Sequence, residues 1–189
     1  MEPLRIDNLF ARRSIRAFTT EPLTPEQIET LLQAAMAAPS AGNRKPWHFI
    51  VVTDPQTRAA LAASHPYARM LSQAPLCLVP CGQPSLAYPS VPDFWVQDLA
   101  AACENVLLAA VGLGLGGVWC GVHPIAERVQ AARNILSIPD DVIPFAFLAI
   151  GHPAEQREPR TQYDAQRVHY ERWSGPISTR EGATWAALA

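Results

Sequence analysis

The chain has 189 residues, enough for one domain with a sizeable core, and 49% of them are hydrophobic. A net charge of −2 offers no electrostatic case for nucleic acid. The four cysteines, Cys77, Cys81, Cys103 and Cys120, form no C-x-x-C pair, so a structural zinc site is not expected. The sequence shows no signal peptide, so the expectation is a cytoplasmic protein with reduced thiols.

The first feature in chain order is Ala11-Arg12-Arg13-Ser14-Ile15-Arg16-Ala17-Phe18. In an extended segment Arg12, Ser14 and Arg16 project to one side, and Arg13 to the other. Guanidinium forks beside a hydroxyl suit a phosphate. Taken alone, the run reads better as a solvated N-terminal arm, because short basic runs are common. Thr24-Pro25-Glu26-Gln27 is a helix start with a capping box, and Ile28, Leu31, Leu32 and Ala35 follow at helical spacing up to Pro39. Pro39 to Lys45 is a loop, His48 to Thr53 reads as a buried strand, and Asp54-Pro55 starts a short helix through Ala63. His65 to Gln73 is irregular or helical, and Ala74 to Cys81 is a second apolar strand. Gly82 to Pro92 is a proline-rich loop placed to lie over a site.

Phe94 to Val111 reads as a long helix, apolar nearly all round, which needs cover on more than one side. Glu104, Asn105 and the glycines that follow argue against a membrane span. Gly112 to Gly117 follows a helix and precedes the apolar run Val118 to Val122, so it is no dinucleotide phosphate loop. Pro124 to Leu136 is an amphipathic helix, and Val142 to Ile150 is a strand broken early by Pro144. Residues 153–182 are polar and charge-mixed. Tyr163, His169, Tyr170, Trp173 and Trp185 favour an arm lying on another subunit over disorder. No repeat or internal boundary is visible, so residues 1–189 are expected to form one α+β domain. A mixed, mainly antiparallel sheet would be flanked by helices, and residues from about 153 to 189 would be the arm.

No classical catalytic set is present. Ser14 and Ser40 lack an acid–base signature, no G-x-S-x-G occurs, and the five histidines are scattered. Many binding signals without an obvious acid or nucleophile suit an enzyme whose cofactor carries the chemistry. The motifs Arg-Arg-Ser-x-Arg-x-Phe, Pro-Ser-x-x-Asn-x-x-Pro-Trp-x-Phe, Gln97-Asp98, Asn105, Gly112-Leu113-Gly114 and Trp119, in this order, resemble the nitroreductase family of FMN-dependent oxidoreductases. Ile150-Gly151-His152-Pro153-Ala154-Glu155 and Val168 to Trp173 extend the resemblance over roughly residues 5 to 175.

The resemblance implies a homodimer in which the long helix forms the interface and the C-terminal arm is swapped between subunits. It implies FMN as cofactor and NADH or NADPH as reductant. The expected chemistry is a ping-pong hydride transfer through flavin N5 to nitroaromatics, quinones or similar flat acceptors. Arg12 and Ser14, helped by Arg13, match the phosphate and ribityl contacts. Arg16 matches the cation near flavin N1 and O2, where positive charge favours the reduced form. Pro39, Ser40, Ala41 and Asn43 match the loop reaching the flavin from the partner subunit. Cys120 and Gly121, within Trp119-Cys120-Gly121-Val122, match the backbone facing the ring edge, and Arg160 matches the residue closing on the phosphate. Lys45, Val122 and His123 depart from the usual pattern. A family branch with other flavin chemistry, reductive dehalogenation or flavin cleavage, is an alternative, as is a flavin-binding protein without turnover.

Overall fold

The strands at residues 76–82 and 146–151 are buried on both faces, which explains why their sequences are continuously apolar rather than alternating. The computed structural model describes residues 6–169 and 172–173. In chain order its elements are α1 (Asp7–Ala11), α2 (Pro25–Met36), β1 (Trp47–Val52), α3 (Pro55–Ala63), β2 (Leu76–Gly82), α4 (Trp95–Gly112), β3 (Gly116–Gly121), α5 (Ala126–Leu136), β4 (Ile143–Pro144) and β5 (Ala146–Gly151). The sheet order is β1-β2-β5-β3, with β4 also on β2, and every pairing of these strands is antiparallel. The one parallel element among the described residues is the bridge of Ser14 to Gly117. The α+β class and the mainly antiparallel sheet agree with the sequence.

The two-residue period of the strands divides the core in two. Leu76, Leu78, Ala146, Leu148 and Ile150 face α2 and α4, where they meet Leu31, Ala35, Leu99, Cys103 and Val106. Cys77, Val79, Val118, Cys120, Phe147 and Ala149 face α3, α5 and the N-terminal segment, through Leu61, Ala132, Ile15 and Phe18. The Thr24–Gln27 capping box forms as the sequence predicts, with Gln27 N donating to Thr24 Oγ1 at 3.2 Å and Thr24 N to Gln27 Oε1 at 2.9 Å. Asp54 caps α3, accepting from Thr57 N at 2.7 Å.

α4 buries Trp95, Asp98, Leu99, Ala102, Cys103, Val106, Leu107 and Ala110, while Val96, Ala100, Glu104, Leu108 and Val111 stay half-exposed along one stripe. By length and composition Pro92–Gly112 passes for a membrane span, with mean hydropathy 1.3, but its packing between α2 and the sheet is that of a core helix. Gly114, at φ 71°, stops it: Leu115 N donates back to Ala110 O and Gly114 N to Val111 O. β3 therefore starts within the glycine run. At Gly116 a Cβ would lie 2.8 Å from Ile15, so glycine lets the N-terminal segment press onto this strand.

Four expectations shift. α1 was not foreseen. The break in the 142–150 strand falls at Phe145, whose N–H donates to Pro80 O and whose carbonyl accepts from Val122 N and His123 N, so Pro144 is itself paired. The 82–92 loop contains 3₁₀ turns at Pro84–Leu86 and Pro92–Phe94. Val122, which departs from the usual motif pattern, is fully buried in the core and lines no cleft among the described residues.

The chain divides into two units, Met1–Pro159 and Arg160–Ala189. In the first, residues 152–158 run beside residues 13–19, with Thr19 N donating to His152 O, Ala154 N to Ala17 O and a Phe18–Pro153 bridge. In the second, Asp164 caps a 3₁₀ turn at Ala165–Arg167 and pairs with Arg167, and His169 stacks on Trp173 at 4.0 Å between centroids. Tyr170, Glu171 and Trp185 lie outside the described residues.

Candidate functional site

The order β1-β2-β5-β3 leaves β3 at a sheet edge. The N-terminal segment covers only the start of that edge, through Ile15 N donating to Gly117 O at 3.0 Å. Backbone groups alternate sides along a strand, so those of Gly117, Trp119 and Gly121 share this edge. The Gly121 carbonyl confirms the phase: it accepts from His65 Nε2 at 2.8 Å and Arg128 Nη1 at 3.0 Å. Between these points the N–H and C=O of Trp119 have no backbone partner on this edge among the described residues.

Beside this open edge lies a cleft of about 420 Å³ lined by Arg16, His65, Pro66, Tyr67, Arg69, Met70, Val118, Trp119, Cys120, Gly121 and Arg128. Three arginines and no carboxylate line it, so it suits an anionic or electron-rich edge of a flat ligand. A Cβ built on Gly121 meets nothing within 4 Å. The Cys120 thiol is pushed up by burial, against the pull of Arg16 and Arg128, so it stays protonated at neutral pH. Its Sγ approaches Tyr67 O at 3.5 Å, which makes it a wall of the cleft rather than a nucleophile.

Arg16 is exposed, and its segment is strapped from the other side. The Glu155 carboxylate accepts from Arg16 N at 2.6 Å and Ala17 N at 3.1 Å, and its second oxygen pairs with Arg157 Nη2 at 2.6 Å. The bond from the Arg16 amide is the main reason its pKa falls below the usual carboxylate value, with the contacts to Arg157 and Ala17 adding to it. Arg13 points away and donates to Glu158 O. Arg12 Nε pairs with Glu104 Oε1 of α4 at 3.2 Å. Ser14 forms the bridge to Gly117.

Of the residues singled out in the sequence, the structure brings Arg16, Cys120 and Gly121 into one cleft. Arg12, Arg13 and Ser14 lie next along the chain but do not line it. Pro39, Ser40, Ala41 and Asn43 are elsewhere on the same chain, in a loop tied to the N-terminal half of α4. Ala41 N donates to buried Asp98 Oδ1 at 2.9 Å, and Lys45 N donates to Ser40 Oγ at 3.0 Å. Gly42, Asn43 and Lys45 all have φ near 55°. Arg160 is exposed and belongs to the second unit. His65, Arg69 and Arg128 are cleft residues that no motif marks; they come from two separate stretches, 65–70 and α5, which meet through packing. Glu155 lies in a quoted motif, but its strap on Arg16 had no local signature.

The model described as the Nitroreductase family matches residues 9–65 and 62–152. The chain belongs to the nitroreductase family. It is 42% identical over 168 residues to a Methanothermobacter thermautotrophicus protein provisionally named NADH dehydrogenase/NAD(P)H nitroreductase, covering 89% of this chain and 87% of that one. It is 30% identical over 185 residues to the oxygen-insensitive NADPH nitroreductase of Salmonella typhimurium, covering 93% and 76%. A crystal structure of a Desulfovibrio desulfuricans protein, provisionally named a nitroreductase and solved in complex with FMN, superimposes with a TM-score of 0.76 at 30% identity, over 92% of this chain and 99% of that one. As a nitroreductase-family fold, the open β3 edge and the cationic cleft have a chemistry to be tested against.

Proposed function

We propose that this protein is a homodimeric FMN-dependent oxidoreductase that uses NADH or NADPH to reduce nitroaromatics, quinones or similar flat electron-poor acceptors. The observation that carries the reading is the sheet-edge backbone at Trp119 beside Arg16, in a cleft lined by no carboxylate. The residues present fit FMN. The exposed backbone edge offers hydrogen bonds in the plane of a flat heterocycle, the glycine leaves room above it, and Arg16 supplies fixed positive charge. The FMN-bound neighbour and the NADPH nitroreductase relative support the same assignment.

FMN held here would supply hydride chemistry between nicotinamide and acceptor, which is why the chain needs no nucleophile of its own. Arg12 and Ser14, with Arg13 behind them, hold the phosphate and ribityl end. Arg16 biases the pyrimidine end toward the reduced state, and Trp119 to Gly121 orient the ring. The loop of Pro39, Ser40, Ala41 and Asn43 completes the site of the other subunit, which accounts for its distance in the chain from the cleft residues. Arg160 is the arm's candidate phosphate ligand by its motif position. Four free, buried thiols suit a reducing cytoplasmic location.

Anaerobic stopped-flow mixing with NADH and with NADPH, followed by a panel of nitroaromatic and quinone acceptors, tests the reading. Bleaching of a yellow protein by nucleotide, and its return with acceptor, is expected, and the released cofactor should have the mass of FMN. A colourless protein that FMN cannot reconstitute would overturn it.

A further inference from the structure

We infer that His65 is a positioning residue, acting with Arg128 as a two-donor clamp on the Gly121 carbonyl that holds the open β3 edge in register for the flavin. The inference rests on the flavin reading of the cleft and goes beyond it by giving a role to two residues outside every motif. His65 is only 3% exposed. Its Nδ1 faces Tyr67 N at 3.1 Å, and a backbone N–H can only donate, so Nδ1 is the acceptor. Nε2 therefore carries the proton of the neutral ring and donates to Gly121 O at 2.8 Å. Edge contacts with Phe147 at 6.0 Å and Tyr67 at 6.1 Å between centroids fix the ring plane.

Arg128 reaches the same oxygen from α5 at 3.0 Å and lies 5.8 Å from the centre of the Tyr67 ring. Two donors from different elements converge on one carbonyl at the far end of an edge whose other end is held by Ile15 N on Gly117 O. Such a carbonyl cannot rotate without breaking both bonds, and the neighbouring Trp119 N–H and C=O are carried with it. β3 is laddered to β5 on one side only, and a glycine at its end weakens that hold, so the clamp steadies the other side. The neutral histidine supplies direction and the arginine supplies charge, so the edge is held before any ligand arrives.

Two substitutions separate this role from simple support of the Tyr67 turn. In His65→Gln the side-chain amide reaches the place of Nε2 and can still donate to Gly121. In His65→Asn the amide stands at the place of Nδ1 and can serve only Tyr67. Hydrogen–deuterium exchange over residues 117–122, measured with and without FMN, should rise in His65→Asn and stay near wild type in His65→Gln. FMN affinity should fall about tenfold in His65→Asn, as for one lost buried hydrogen bond, and little in His65→Gln. Equal effects of the two variants, or the reverse order, would overturn the clamp. If neither variant folds, Arg128→Gln decides: unchanged exchange over residues 117–122 refutes it. A wild-type protein that binds no FMN would sink the flavin reading, while the exchange measurement would still test the clamp.

Discussion

At the scale of single residues, the N-terminal motif separates into side chains with different partners. Arg12 is held by Glu104, whereas Arg16 faces the cleft. Arg12→Ala should weaken FMN binding about tenfold or more, the loss of one charge-assisted contact worth ~1.5–3 kcal/mol. Arg16→Gln should bind FMN more nearly normally but lower its midpoint potential by about 30 mV, the equivalent of ~1.4 kcal/mol for a two-electron couple. Potentiometric titration beside fluorescence binding distinguishes them; unchanged potential with collapsed affinity would make Arg16 a phosphate ligand. Glu155 supports this geometry, and its lowered pKa has a direction in pH. A carboxylate whose folded pKa lies below its unfolded value adds stability above the unfolded value and loses it as pH falls through the folded one. Wild type should therefore exceed Glu155→Gln in stability at neutral pH. The gap should close only below the ordinary carboxylate value of 4.5, and denaturant melts across pH 3 to 7 check it. A gap independent of pH would show that the charge on Glu155 does not matter to the strap.

At the scale of elements, α4 and β3 share the glycine segment that separates them. Gly114 has φ 71°, and a Cβ there would touch nothing within 4 Å, so Gly114→Ala tests backbone strain without a clash. It should cost about 1–2 kcal/mol, the penalty of a left-handed residue with a side chain, read as a lower denaturant midpoint. A neutral result would mean that α4 can end another way. This segment also shows what was legible in sequence. The capped helices α2 and α3 are written locally, in Thr24-x-x-Gln27 and Asp54-Pro55, and appear where read. α1 was missed because five residues with no side-chain cap and with Leu9 and Phe10 exposed carry neither a start signal nor a core-facing period. The break at Phe145 was misplaced because its cause is pairing with Pro80, a partner distant in sequence. The cleft follows the same rule. Arg16, Cys120 and Gly121 were found through motif order, whereas Arg128 joins His65 and Arg69 only through the packing of α5 and β3 on the segment after α3.

At the scale of the molecule, one chain leaves its proposed site in two places. Arg16, Cys120 and Gly121 share the cleft, while Ser40, Ala41 and Asn43 are anchored by Asp98 to α4 and do not line it. The half-exposed stripe Val96, Ala100, Leu108 and Val111 on α4, with exposed Ile6, Leu9 and Phe10 on or beside α1, which packs on that helix, is apolar surface that a second copy would cover. In the proposed dimer a two-fold contact through α4 would bring each loop to the partner's site, so every site would draw on both subunits. This makes a complementation test decisive. Arg12→Ala damages the phosphate side of a site and Asn43→Leu, at φ 55°, damages the loop side. Assayed at FMN well below the weakened dissociation constants, each homodimer should be nearly inactive. In a co-expressed mixture, heterodimers pair the intact Arg12 of one subunit with the intact loop of the other, restoring one site of two. With random assortment, half the dimers are mixed, so activity should return to about a quarter of wild type. No recovery, with mixed dimers demonstrated by mass, would place both halves of each site in one subunit and refute the composite arrangement.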